Sequence, residues 1–275
     1  MYAVIAFVAI AICSCAKIEQ ETILPKNTCS LTIKLGTTKT SLGASVNGVR
    51  KVYWSNGDQI AANGTVSSEA TIDAKNAGVA TFDFGSEPTY PCSILYPASF
   101  YKNETTITLP HTQEAATATF ATNTLPMATT LAQKDGDIHL HHLAAVVHLQ
   151  LKAEKLDRNN AIRKIEFRGN NNEQVSGDFA IDYSSSKLTA TSSKHADLVV
   201  YTRVLGELTM DTASDIFVVV PAQEYSKGFT VRIINSSGHY MDKKTSAATT
   251  IAEGDILKMP EFEFIPTGTL LDIEL

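Results

Sequence analysis

The chain is short of charge: only 19% of its 275 residues are Asp, Glu, Lys or Arg, and the net charge is −6. No basic patch stands out, and that argues against a nucleic-acid partner. Cysteine and tryptophan are scarce, at four and one. No Gly-x-Ser-x-Gly elbow, phosphate-binding loop or dinucleotide fingerprint occurs. Nothing singles out the facing carboxylate pair that a glycosidase needs. The expectation is therefore a protein that is not an enzyme and carries no cofactor. No segment has a sustained helical period either, and parallel βαβ units are excluded. The longest apolar run, Ala3–Ile12, falls well short of the roughly 20 residues a membrane-spanning helix requires.

Thr and Ser are abundant, Val and Ile common, and turns rich in Gly and Asn recur. This is the composition of an exported β protein. Cys29–Leu35 alternates, with Leu31, Ile33 and Leu35 on one face and Thr32 and Lys34 on the other, which predicts a half-buried strand. Short strand-like pieces follow at Ala70–Ala74, Val79–Phe84, Cys92–Tyr96 and Thr106–Leu109, separated by turns. Thr112–Asp137 is weakly patterned and places a domain boundary near residue 137. A long alternating strand is expected over Ile138–Lys152, and a second series of strands runs to Ile265. The expected organisation is all-β, with sandwiches at 29–137 and 138–265. The tail 266–275 ends in Gly268–Leu275, where Leu271, Ile273 and Leu275 alternate with Asp272 and Glu274. It reads equally as the last strand of the second sandwich or as a strand without a partner in its own chain.

Residues 1–15 have the length of a secretory signal core, and Ile12-Cys13-Ser14-Cys15 resembles the lipobox of bacterial lipoproteins. The resemblance assigns the lipid to Cys15, whose two or three acyl chains would anchor the protein stably. The departure is the lack of Lys or Arg before the apolar run, and a buried N-terminal strand or helix is the other reading. Residues 16–28 form a polar tether. With Cys13 removed and Cys15 lipidated, Cys29 and Cys92 remain as an even pair in a compartment that permits disulfides. They are either bridged or two buried free thiols.

Other chemistry is sparse. His139 and His141 share a strand face near His142 and His148, but zinc-type spacing is absent and exposed or interdomain histidines are expected. Asp58, Asp135 and Asp137 sit in turn sequences without a complete calcium loop and read as solvated turn residues, so no metal is assigned. Trp54 reads as a core aromatic rather than a sugar platform. Asn63, Asn103 and Asn235 fit the N-glycan acceptor pattern, which is discounted in a bacterial lipoprotein.

Several motifs in order carry a family resemblance. They are Lys39-Thr40, then Val52-Tyr53-Trp54-Ser55-Asn56-Gly57-Asp58-Gln59-Ile60, Tyr96-Pro97-Ala98-Ser99, and Leu109-Pro110 with Gln113. Leu125-Pro126-Met127, His142 to Val147, Ile165 with Gly169 and Gly177, and Val219-Val220-Pro221 follow. With the lipobox, the chain resembles the Bacteroidetes fimbrillin-like (Mfa-like) lipoproteins, subunits of type V pili. The resemblance implies two tandem transthyretin-like β-sandwich domains. It also implies export to the outer membrane as a lipid-anchored precursor, and assembly at the cell surface with other fimbrial subunits. In polymerising members a protease cuts after a basic residue and a neighbour's donor strand fills the groove. Carried over here, Lys26 and Arg50 are candidate cut sites and Leu271, Ile273 and Leu275 the donor side chains. The alternative is a non-polymerising surface lipoprotein that binds a host protein or glycan.

Overall fold

A computed structural model of the chain describes residues 29–35, 42–46, 49–134, 138–153, 161–191, 197–202 and 211–270. These residues are all-β: the one helical element among them is a 3-10 turn at Ala98–Phe100. Strands form because apolar side chains recur at every second position and have a sheet to face. Cys29–Lys34 shows this directly, with Cys29, Leu31 and Ile33 buried and Ser30, Thr32 and Lys34 exposed.

The first half is built in three layers. Cys29–Lys34 pairs antiparallel with Val79–Phe84, which also pairs with Thr71–Ile72. Behind lies a five-stranded sheet in the order His141–His142, Met127–Leu131, Cys92–Tyr96, Ala61–Ala62, Thr65–Val66. Alternation along Cys92–Tyr96 feeds two cores. Cys92, Ile94 and Tyr96 join Leu31, Ile33, Trp54 and Phe82 on one face. Leu95 joins Phe100, Ile107, Ala128, Phe179 and Ile181 on the other. That second core is covered by a four-stranded sheet in the order Lys187–Ala190, Gly177–Asp182, Thr106–Leu109, Tyr101–Asn103.

The second half is centred on Ala144–Lys152. This strand pairs antiparallel with Ser214–Pro221 over eight register positions and parallel with Ile256–Lys258 and Phe262–Glu263. Ala145, Val147, Leu149 and Leu151 face a seven-stranded sheet that contributes Ile165, Phe167, Val200, Val231 and Ile233. That sheet runs Thr119–Phe120, Thr112–Ala116, Leu198–Tyr201, Ile162–Gly169, Phe229–Asn235, His239–Lys244, Gly268–Thr269. On the opposite face, Ala144 and Val146 meet Phe120, Leu125, Phe217 and Val219.

Sheet membership crosses the boundary expected near residue 137. Thr112–Ala116 lies parallel to Leu198–Tyr201 in the second half, and Gly177–Asp182 pairs with Thr106–Leu109 in the first. The expected single strand over Ile138–Lys152 is two. His141–His142 pairs with Met127–Leu131, the chain turns through Leu143, and Ala144–Lys152 enters a different sheet. Apolar alternation continues through the junction because Leu143 is itself buried, in the core beneath the four-stranded sheet.

Candidate functional site

The two ends of the described chain are edge strands, and they are where strand exchange would act. Among the described residues Cys29–Lys34 has one partner strand, Val79–Phe84, with six register pairs from Cys29↔Phe84 to Lys34↔Val79. Leu31 and Ile33 reach into the core, and the Trp54 indole Nε1–H donates to the Ile33 carbonyl at 3.4 Å. Trp54 is a core residue, packed edge-on against Phe82 and Tyr96 with centroids 4.9 and 5.3 Å away.

At the other end, Gly268–Thr269 pairs antiparallel with His239 and Tyr240. The Thr267 N–H donates to the Tyr240 carbonyl at 2.8 Å and the Leu270 N–H to the Gly238 carbonyl at 2.9 Å. The Tyr240 ring lies over Gly268, where an added Cβ would come within 2.6 Å of it, and the Arg232 guanidinium stacks on the ring at 4.2 Å. Gly238 sits at φ +77° in the turn that sends the chain back to Phe229–Asn235. Among the described residues the pairing along this edge runs to Leu270, opposite Gly238.

Lys26, Cys15, Leu271, Ile273 and Leu275 lie outside the described residues, as do Asp135 and Asp137. Arg50 lies in Val49–Val52, with its backbone paired to Ser45. Cutting after it requires that hairpin to open. Cys29 and Cys92 are free thiols buried in the same core, one from each facing sheet. Burial, with Cys29 nearby as a smaller cause, pushes the Cys92 thiol up to about 11, so it is a poor nucleophile at neutral pH. The histidines separate. His139 and His141 are exposed, whereas His148 is buried, stacked on Phe217 at 4.4 Å with its Nε2 2.7 Å from Asp215 Oδ1. Among the described residues no three His, Cys, Asp or Glu side chains come together in a way that could hold a metal ion. Asn103 and Asn235 each use the side-chain oxygen to accept a backbone N–H in their own turns, and Asn63 Oδ1 accepts the Ser93 N–H of Cys92–Tyr96.

Asp58 corrects the expectation of a solvated turn residue. It is fully buried. Its carboxylate accepts the Ser55 N–H at 2.7 Å and the Tyr96 O–H at 2.9 Å, so the Ser55–Asp58 turn folds back beneath the aromatic cluster. Burial raises its proton affinity, partly offset by those two hydrogen bonds. A carboxyl with a raised folded-state value stabilises most below its unfolded value, near 3.9. That contribution is lost as pH rises through the folded value. Against Asp58→Asn, wild type is therefore expected to lose stability between pH 4 and pH 7, read as urea midpoints at each pH. A difference that stays flat or grows in favour of wild type would contradict the assignment.

Several tertiary contacts rest on residues whose roles the sequence did not announce, and of these Gln113 joins the two halves. Gln113 Nε2 donates to the Val219 carbonyl at 2.7 Å, and its Oε1 accepts the Val219 N–H at 3.1 Å. One carboxamide thus stands in for a neighbouring strand at the edge of Ser214–Pro221. Glu173 accepts the Ser226 N–H and O–H and the Asn171 N–H, and despite a desolvation cost its own backbone N–H together with these bonds holds it below the usual carboxylate range. Asn170 bridges the Lys227 and Thr245 carbonyls. Gln113 had appeared only as part of a motif. Glu173 and Asn170 carried no sequence signal beyond their place in a polar turn.

No family model and no curated protein matches the chain. The solved structures to which the chain is similar include candidate cell adhesion proteins from three Bacteroides species. The one from Bacteroides uniformis is 12% identical, with 85% of this chain and 94% of that one covered and a TM-score of 0.46. Those from Bacteroides ovatus and Bacteroides fragilis are each 10% identical at a TM-score of 0.44, covering 88% of this chain and 98% and 100% of theirs.

Proposed function

We propose that the chain is a structural and adhesive subunit of a surface fimbria, exported as a lipoprotein and assembled by exchange of a terminal strand between copies. In this reading its sheets are two transthyretin-like sandwiches that trade strands. The observation that carries it is the state of the C-terminal strand. Among the described residues it is held by two register pairs, with the Leu270 N–H on the Gly238 carbonyl at the turn. An alternating apolar segment, Leu271, Ile273 and Leu275, follows directly. A strand of this kind binds by completing another sheet's hydrogen-bond ladder while alternate side chains fill its pockets. The acceptor would be the core beneath Cys29–Lys34, opened once that edge strand leaves. The lipobox resemblance at Cys15 supports the route to the outer membrane.

Limited trypsin treatment of the pure protein is expected to yield ladders of oligomers that survive mild denaturant, and deletion of residues 268–275 to abolish them. Ladders unchanged by the deletion would remove the tail from assembly. Labelling with a palmitate analogue should be lost in Cys15→Ala, and equal labelling would end the lipoprotein reading. The second reading is a surface lipoprotein that stays monomeric and binds a glycan or host protein. It is favoured by the pairing of Gly268–Thr269 with the chain's own sheet, and it predicts a monomer after proteolysis.

A further inference from the structure

We propose that a pocket at the junction of three sheets binds a single carboxylate-bearing sugar unit, such as a hexuronic acid. The pocket has a volume of about 280 Å³ and is lined by His141, His142, Ser185, Ser186, Lys187 and Glu253. These residues come from three distant segments: an edge strand of the five-stranded sheet, the turn between Gly177–Asp182 and Lys187–Ala190, and the turn before Ile256–Lys258.

Each wall is tied down by bonds outside the pocket. His141 and His142 are in register with Ala128 and Met127. The Ser186 hydroxyl donates to the Ala128 carbonyl at 3.4 Å, and Asp182 accepts the Ser184 and Ser185 N–H groups at 2.9 and 3.3 Å. The Gly254 N–H donates to the Ala144 carbonyl and the Val146 N–H to the Asp255 carbonyl, both at 2.9 Å. Gly254 lies at φ +80°, and a Cβ there would come within 2.9 Å of the His142 ring. A side chain at Gly254 would crowd that ring. The cavity is thus preformed, and little ordering is left for a ligand to bring about.

The lining selects the ligand class. No aliphatic or large aromatic residue lines it, and its apolar surface is the carbon of polar side chains, which favours an amphipathic ring over a purely apolar ligand. Instead it offers an ammonium, two imidazoles and a carboxylate, with the Ser185 and Ser186 oxygens as acceptors only, since their hydroxyl protons are donated to Asp182 and Ala128, a set suited to a polyhydroxylated ligand. Among the described residues Lys187 and Glu253 form no ion pair, with each other or elsewhere. Lys187 is left to meet an anionic group and Glu253 to accept hydroxyl donors. In a chain of net charge −6, a carboxylate is held here by that ammonium with His141 beside it. The volume, just under the usual small-molecule range of roughly 300 Å³ and above, suits one sugar ring. If copies of the chain are repeated along a surface assembly, as the proposed function has it, a weak single site gains avidity.

The test is titration of the full-length protein with sodium glucuronate, glucose and glutamate, read by backbone amide shifts. Saturable shifts at residues 141–142, 185–187 and 253–254 with glucuronate alone are expected. Lys187→Ala should weaken them about tenfold or more while leaving the circular dichroism spectrum and melting temperature unchanged. Equal binding of glucose would overturn the carboxylate requirement, and equal binding of glutamate the sugar requirement. No saturable shift with glucuronate, or a Lys187→Ala protein that binds as wild type, would overturn the site. The readout is binding by monomers, so its failure is distinct from failure of strand-exchange assembly.

Discussion

Neither residues 29–137 nor residues 138–275 are expected to fold when made alone. Without Gly177–Asp182 and Lys187–Ala190, the first half loses the strands that place Phe179, Ile181 and Tyr183 over Leu95, Ile107 and Ala128. Burying each such side chain stabilises by about 1.5–3 kcal/mol, so the three together account for roughly 5–9 kcal/mol. That is comparable to the whole stability of a typical domain, about 5–15 kcal/mol. The second half in turn loses Thr112–Ala116 from the edge of Leu198–Tyr201, and Phe120 and Leu125 from the face of Ala144–Lys152. Each fragment should give collapsed amide dispersion and no cooperative melt, whereas co-expression should restore one soluble complex. A 29–137 fragment that melts sharply as a monomer would show that the shared sheets are dispensable.

Replacing Gln113 by Leu should cost about 2–6 kcal/mol, because the Val219 N–H and C=O are both left buried without the carboxamide, at about 1–3 kcal/mol each. Gln113 is 8% exposed and Val219 4%, and among the described residues no adjoining strand replaces the lost bonds, since Ser214–Pro221 is the end strand of its sheet. For a chain of this size the loss corresponds to a fall in Tm of roughly 5–20 °C. Gln113→Glu should behave similarly at neutral pH, since a carboxylate accepts the N–H but repels the carbonyl. The neighbouring exposed Thr112→Ala should stay within about 0.5 kcal/mol of wild type. Thermal melts of the three variants check this. A Gln113→Leu protein as stable as Thr112→Ala would mean that the edge of Ser214–Pro221 is satisfied in some other way.

The two predictions expose the same gap between sequence and fold. Strand identity is a local property. In Cys29–Lys34 the period of two is visible because each apolar side chain must reach the same core, and the structure has that strand where the pattern places it. Trp54 as a core residue is legible for a similar reason: a large apolar ring beside a turn and between strand-like pieces finds few other places. Asp58 is not legible. A carboxylate in Asn-Gly-Asp looks like any solvated turn, and only the arrival of Tyr96, 38 residues later, makes its burial tolerable. The three-wall pocket is likewise invisible in sequence, since His141, Lys187 and Glu253 meet only through pairings between distant strands.

By itself, then, the amino-acid sequence determined that this is an all-β chain and where most strands lie. Alternation, turn residues and the lack of helical period act within a few residues of each other. Which strand lies beside which was decided only by the tertiary structure. Thr112–Ala116 joins the second half, Gly177–Asp182 joins the first, and the run through Leu143 divides between two sheets. The physical reason is that an edge strand's backbone groups are the same whatever its sequence. Partner choice is therefore set by which buried faces fit together, and by single contacts such as Gln113 on Val219.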